Sequence, residues 1–190
     1  MPARLVVLAS GSGSTLQAVL DAAANPGFGA TVVAVGTDVP GCPAMARAEA
    51  AGVATFAAAV RDYPQRGAWN AALADAIGSH RPDLVVLAGF MRLLDPTVVN
   101  RFKIVNTHPA LLPAFPGAHA IRDALAAGAR STGASVHWVD EGVDTGEVIA
   151  QAEVAILAGD DEDSLRARIQ AVEKPLYVKA IRQLCQEIFA

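Results

Sequence analysis

The 190-residue sequence predicts an α/β fold: a single three-layer domain with a mostly parallel central sheet of about seven strands and an antiparallel strand towards the C-terminus. Three observations carry this reading. Short runs of branched apolar residues recur along the chain, as expected for strands buried on both faces of a parallel sheet. Stretches with helical apolar spacing separate them. Late in the chain, a pair of strand-like runs lies close together in sequence, as antiparallel neighbours do.

The elements follow in order. Leu5 to Ala9 reads as a buried strand, and Ser10-Gly11-Ser12-Gly13-Ser14-Thr15 interrupts it. Leu16, Val19 and Leu20 then fall on one helical face, and Asn25-Pro26-Gly27 ends that helix. Residues 31–36 read as a strand, 43–51 as a helix and 53–56 as a short strand. Trp69, Leu73, Ala76 and Ile77 mark the buried face of the next helix; 84–88 and 104–106 are further buried strands. After Ala120, Ile121 and Leu125, residues 133–139 and 148–154 read as an antiparallel pair, with Asp144-Thr145-Gly146 in a tight connection. Leu165, Ile169, Val172 and Leu176 form the inner face of a final helix. Asp160 to Asp163 are expected in its first turn, where carboxylates meet the positive end of the helix dipole. No linker divides the chain, so the expected domain spans residues 1–190.

Composition narrows the function classes. Hydrophobic residues make up 53% of the chain and charged residues 18%, a balance suited to a packed core rather than to disorder. A formal charge of −4 offers no broad attraction for nucleic acid or for an anionic membrane, so neither is expected as a partner. No segment has the length and apolarity of a membrane span, and the N-terminus lacks signal-peptide architecture. Cys42 and Cys185 make neither a metal spacing nor a disulfide framework. They are expected as small buried hydrophobes, and their scarcity fits a reducing cytoplasm.

Two regions carry chemistry. The loop from Ser10 to Thr15 follows a strand and opens a helix, where free backbone amides and the helix field can hold a phosphate. Another anion, or a tight turn with a helix cap, would use the same residues. It is neither a dinucleotide fingerprint, because Leu16 occupies the third glycine position, nor a Walker loop, because no Gly-Lys-Ser/Thr ending follows. The second region is Ile104-Val105-Asn106-Thr107-His108-Pro109, read with Asp144. Asn106 and His108 share one side of a strand end, and Pro109 biases His108 towards extended backbone. The Asn106 amide can donate to a developing oxyanion, His108 can donate as imidazolium or pass a proton, and Asp144 can favour the charged imidazole or receive the amine's proton, directly or through water. Taken singly, Asn106 could be a turn former, His108 structural and Asp144 a hairpin residue. The Asp-Thr-Gly string also occurs in aspartic proteases, but the parallel α/β pattern and the lack of a second such string argue against that class.

Longer strings carry a resemblance. Ser10-Gly11-Ser12-Gly13-Ser14, Ala88-Gly89-Phe90-Met91-Arg92, and Asn106-Thr107-His108-Pro109-Ala110-Leu111-Leu112-Pro113 are followed by Phe115-Pro116-Gly117, Gly133-Ala134-Ser135-Val136-His137 and Asp144-Thr145-Gly146. In this order, over nearly the whole chain, they resemble the phosphoribosylglycinamide formyltransferases, folate-dependent enzymes of purine synthesis. The resemblance implies a Rossmann-like formyltransferase fold, with an N-terminal half for the phosphorylated ribonucleotide and a C-terminal half for the folate. It implies formyl transfer from 10-formyltetrahydrofolate, as co-substrate, to the amine of 5-phosphoribosylglycinamide, with no metal. Asn106 and His108 would hold the oxyanion and Asp144 would organise proton transfer. Gly13, Ser14 and Thr15 would hold the phosphate, with Pro109 and Glu173 also on the ribonucleotide side. Met91, Arg92, Leu93 and Leu94 would line the pterin cleft, backbone of Asp140, Glu141 and Asp144 would read the ring, and Ser135 and His137 would support the centre. A homodimer is implied as well.

Without the resemblance, Met91 and Leu93 read as core, His137 as a satisfied structural histidine, and Glu173 with Lys174 as an exposed ion pair. Three departures stand out. Thr15 takes the place of a customary Asn, residues 101–104 make a shorter approach to the catalytic strand, and the chain ends at Ala190 where relatives usually continue. The rival readings are a 10-formyltetrahydrofolate hydrolase, with water as acceptor, and a non-catalytic binder of phosphate ligands. A methionyl-tRNA formyltransferase is disfavoured for want of a second domain and a basic patch.

Overall fold

The fold was obtained as a computed structural model, which describes residues 1–188; the chain end at Ala190 lies outside them. Among the described residues seven strands are formed: β1 (Ala3–Leu8), β2 (Ala30–Thr37), β3 (Ala54–Ala57), β4 (Leu84–Leu87), β5 (Ile104–His108), β6 (Ser131–Trp138) and β7 (Val148–Ala155). The helices are α1 (Ser14–Ala23), α2 (Pro43–Ala50), α3 (Arg66–Ser79), α4 (Pro96–Val99), α5 (Ala120–Ala126) and α6 (Glu162–Ile188). The strands hydrogen-bond in the order β3-β2-β1-β4-β5-β6-β7. β1 runs parallel to β2 and β4, β2 parallel to β3, and β7 antiparallel to β6. The fold is the expected α/β architecture with a mostly parallel sheet. Because the chain leaves β1 towards β2 and later returns to its other side as β4, strand order reverses between β1 and β4. That is the kind of crevice where ligands meet such sheets.

Tertiary contacts group the chain into two units. One comprises Met1–Val105 with the chain from Arg182 onward, the other Asn106–Ile181. In the first, β1 is central and Leu5, Val6, Val7 and Leu8 are fully buried. Leu16 and Val19 of α1, and Trp69, Leu73 and Ile77 of α3, are buried as the helical spacing requires. The α3 face differs from the expected one. Ala76 is half-buried, while Ala74 and Asn70 are buried. Asn70 is tolerated there because its amide is satisfied: Nδ2 donates to Arg66 O at 3.1 Å, and Oδ1 accepts from Asp95 N at 3.4 Å. Cys42 and Cys185 are both buried free thiols, as expected.

In the second unit, Ile121, Ala134, Val154, Leu165 and Ile169 form a buried cluster. Leu125, Ile156, Val172 and Leu176 pack around it. Two sequence expectations are corrected here. Asp160 and Asp161 precede α6 rather than filling its first turn, which holds Glu162 and Asp163. Asp161 caps the helix by accepting from Ser164 N at 2.8 Å, and Asp160 takes a forked contact from Arg168 at 2.7 and 2.8 Å. That guanidinium holds the Asp160 carboxyl far below its ordinary range. The second correction concerns the β6–β7 connection, which runs from residue 139 to 147 and is a structured loop rather than a tight turn. Asp140 Oδ1 organises it by accepting from Gly142 N at 3.0 Å and from the Thr145 hydroxyl at 2.7 Å. The loop carries Asp144 in the left-handed region at φ 55° and closes at Gly146, where any Cβ would collide with the Trp138 carbonyl.

Candidate active site

β5 changes character along its length. Ile104 and Val105 are buried apolar residues, and Asn106, Thr107 and His108 then put polar groups at the strand end. Alternation along the strand places Asn106 and His108 on one face and Thr107 on the other. The backbone beyond His108 is pinned. Ser135 Oγ donates to Ala110 O at 2.7 Å and accepts from Leu112 N at 3.0 Å. Gln151 Nε2 donates to Ser135 Oγ at 2.8 Å and to Leu112 O at 2.9 Å. One hydroxyl thus donates once and accepts twice, its full capacity. Ser135, expected as a support, holds the backbone at Ala110 and Leu112. Gln151 was missed, because it stands at an exposed position on β7 where a polar side chain is ordinary.

Asp144 meets both histidines. Its Oδ2 lies 3.3 Å from His108 Nδ1 and accepts from Gly117 N at 2.8 Å, and its Oδ1 lies 3.5 Å from His137 Nε2. The His137 contact lowers the Asp144 pKa most. Burial opposes it, and the Gly117 N–H and the positive charges of the two imidazoles lower it further, so the carboxyl titrates below its ordinary 3.8. His108 Nε2 lies 2.7 Å from Phe115 O. A carbonyl can only accept, so that nitrogen carries hydrogen and Nδ1 faces the carboxylate. His137 Nδ1 donates to Trp138 O at 2.8 Å, and Asn106 Nδ2 lies 3.4 Å from His137 Nε2. His137 Nε2 can accept from Asn106 when bare or donate to Asp144 when protonated. The pairing register between β6 and β7 shifts between Val136 and His137, a bulge that aims this ring. Asn106, His108, His137 and Asp144 therefore converge.

On the other face of β5, Thr107 Oγ1 is buried with no partner at hydrogen-bonding geometry, yet it acts on the half-buried Glu173 of α6. Burial pushes the Glu173 pKa up, and the Thr107 hydroxyl and the Lys174 charge offset part of that rise. Glu173 is thus half-buried, not one partner of an exposed ion pair with Lys174.

In the first unit, Gly13 caps α1 in the left-handed region at φ 71° and supplies no side-chain acceptor. Amides of the first α1 turn, at Ser14 and Thr15, are therefore left for another group. The loop is held from α2: Ala44 N donates to Gly11 O at 3.1 Å and Arg47 Nε to Ser12 O at 2.8 Å. Met91 and Leu93 are 75% and 65% exposed, which overturns their reading as core residues and leaves two large apolar side chains on the surface. Leu94 is half-buried, and Arg92 is tied to the buried Asp38, a second residue missed from sequence. Asp140 and Glu141 are exposed, and Asp140 spends its carboxylate on its own loop. Among the described residues, no group of three or more His, Cys, Asp or Glu side chains is arranged to hold a metal ion, and no helix is long and apolar enough to cross a membrane.

The formyl transferase family model matches residues 3–181. The phosphoribosylglycinamide formyltransferase of Mycobacterium tuberculosis is 52% identical over 185 residues, covering 96% of this chain and 85% of that one. The chain belongs to the phosphoribosylglycinamide formyltransferase family. The Escherichia coli relative is 42% identical over 175 residues, covering 91% of this chain and 82% of its own. Among solved structures, glycinamide ribonucleotide transformylase 1 from Symbiobacterium toebii superposes with a TM-score of 0.95 at 42% identity, covering 98% of this chain and 89% of that one. Within this formyltransferase family, the residues expected from sequence at the centre, Asn106, His108 and Asp144, are the ones the fold brings together, with Ser135 and His137 behind them.

Two outcomes follow from this geometry. Gly13→Ala meets a positive φ and places a Cβ 2.7 Å from Ala44 Cα, whereas a Cβ at Gly11 meets nothing within 4 Å. Gly13→Ala should lower the unfolding free energy by about 1–3 kcal/mol and Gly11→Ala by less than about 0.5, read by urea denaturation. For Glu173, the folded pKa lies above the ordinary 4.5, so ionising it costs the folded state more than the unfolded chain. Its contribution is full below 4.5 and is lost as pH rises through the folded value. Glu173→Gln should melt at or above the parent temperature at neutral pH, with the gap closing towards pH 4.5 in a calorimetric series.

Proposed function

We propose that the chain transfers the formyl group of 10-formyltetrahydrofolate to the amine of 5-phosphoribosylglycinamide, a step of purine synthesis, through Asn106, His108 and Asp144. The observation that carries the residue assignment is the convergence of a neutral amide, an imidazole and an ionised carboxylate at the end of β5. The attacking amine forms a bond to the formyl carbon, and charge develops on the formyl oxygen. Asn106 Nδ2 and the His108 Nε2–H, exchanging its Phe115 carbonyl for that oxygen, stabilise this charge. Losing one such donor costs roughly 3 kcal/mol of transition-state stabilisation. The carbon–N10 bond then breaks. The amine gives up a proton and N10 takes one, so the chain needs a group that can hold a proton in between. His108 gives its Nε2 proton to N10 and takes the amine's proton at the same nitrogen, and Asp144 keeps the imidazole oriented and its charge compensated.

On this reading Gly13, Ser14 and Thr15 hold the substrate phosphate, and Pro109 and Glu173 lie on the ribonucleotide side. The exposed faces of Met91 and Leu93 suit the flat apolar ring of a folate. Arg92, Leu94 and the backbone of Asp140, Glu141 and Asp144 complete that side. The two substrates are then the partners, with no nucleic acid or membrane, and a homodimer is carried over from the resemblance. Two buried free thiols support a reducing cytoplasm.

Turnover is followed by tetrahydrofolate release with and without phosphoribosylglycinamide. Release that requires the amine is the expected result; equal release without it would make the chain a hydrolase, and none under either condition a binder. Asp144→Asn should lower kcat by about 10²–10⁴-fold with an unchanged circular dichroism spectrum. Turnover within about twofold of the parent would remove Asp144 from the mechanism.

A further inference from the structure

Asp38 directly follows β2, and its side chain is 1% exposed. A carboxylate that deep needs its charge answered, and two groups answer it. The Ser10 hydroxyl donates to Oδ1 at 2.5 Å, and Arg92 Nε donates to Oδ2 at 2.6 Å. Ser10 in turn accepts from Met91 N at 2.8 Å through its Oγ, and its own N–H donates to Gly89 O at 3.1 Å. Ser10 is the first residue of the glycine loop, and Met91 and Arg92 open the segment with the exposed apolar side chains. The ends of β2, β1 and β4 are neighbours in the sheet, and strand order reverses between the last two. One buried carboxylate thus ties the two chain segments that flank the crevice at this reversal.

We infer that Asp38 is a positioning residue that holds the glycine loop and the Met91–Leu94 segment in fixed register, so that it sets the affinity for both substrates at once. The inference rests on the proposed assignment of these segments to the phosphate and the folate. A buried ion pair that only stabilised the fold would change melting behaviour and leave both Michaelis constants alone. The register reading requires the reverse balance. Arg92 keeps a side chain 43% exposed, so it can turn to solvent when its partner is lost, and the segment it anchors is then released. Ser10 loses the acceptor that orients its hydroxyl, and with it the lone pair aimed at Met91 N.

Asp38→Asn keeps the shape of the side chain and removes its charge. An amide that still faces Arg92 with oxygen turns its NH2 towards Ser10, whose hydroxyl then has nothing to donate to. KM for both phosphoribosylglycinamide and 10-formyltetrahydrofolate should rise about tenfold, with kcat within about twofold of the parent. Ser10→Ala removes the same bridge without touching a charge and should raise both constants as well. Because the two residues act through one link, the double variant should be no worse than the more affected single one. A rise in only one constant, a loss of kcat with both constants unchanged, or a lowered melting temperature as the sole effect would each overturn the inference. If Asp38→Asn does not fold, Ser10→Ala alone decides between these outcomes. The underlying assignment fails separately. Thr15→Pro, which removes a backbone N–H together with the hydroxyl in the first turn of α1, where proline is tolerated, should raise KM for phosphoribosylglycinamide alone. An unchanged constant there would withdraw the phosphate loop, and the inference with it, whatever the Asp38 variants show.

Discussion

Everything at the end of β5 depends on keeping one ionised carboxylate beside an imidazole in a largely buried setting. Asp144 sits 3.3 Å from His108, with side-chain exposures of 13% and 5%. At such burial, unpaired charge is costly, and the arrangement persists only because the neighbouring backbone satisfies the rest of both groups. Gly117 N–H serves the carboxylate, the Phe115 carbonyl serves the far side of the ring, and the Asp140–Thr145 contact sustains the loop that turns Asp144 inward. The polar constellation is thus an outcome of two loops being held, those between β5 and α5 and between β6 and β7, more than of three side chains being present.

How these loops are held explains what could be read from the chain. β5 was legible because Ile104-Val105 followed by Asn106-Thr107-His108 changes chemistry abruptly within one strand, and an extended backbone puts alternate residues together whatever surrounds it. The burial of Leu165 and Ile169 with Val172 and Leu176 packed beside them was legible for the equivalent reason in a helix. Gln151 and Asp38 were not. Their roles come from partners 39 and 54 residues away, and nothing local to Gln151 or Asp38 distinguishes them from a strand-surface amide and a turn carboxylate. The Asp160–Asp163 run misled because four acidic residues in a row look alike. Only the bond from Ser164 N to Asp161 shows where the helix starts, and only Arg168 shows which carboxylate is paired off. The aim of His137 depends on a register shift at Val136, which alternation cannot foresee.

Local rules are broken where function is proposed. Met91 and Leu93 stand in solvent, Glu173 is partly buried at a cost to its charge, and Asp144 holds a positive φ without being glycine. None of these improves the isolated fold. Each departure is of the kind expected where stability has been exchanged for activity.

The direction of the Asp144 shift limits the roles that remain for it. A carboxyl held below 3.8 is ionised throughout the neutral range, so it cannot be the acid that protonates a leaving nitrogen there. In the proposed transfer the amine loses one proton and N10 gains one, so no net proton is consumed. A shuttle for such a step must hold a proton on the way without ending in a different state from the one it began in. An imidazole with one nitrogen committed to a carboxylate and the other to an exchangeable backbone carbonyl meets that requirement: Nε2 can change partners while Nδ1 stays fixed. The carboxylate then stays an anion through the cycle. Its work is to keep the imidazole oriented and its positive charge affordable, and His137, pressing on the other oxygen at 3.5 Å, helps to keep it ionised.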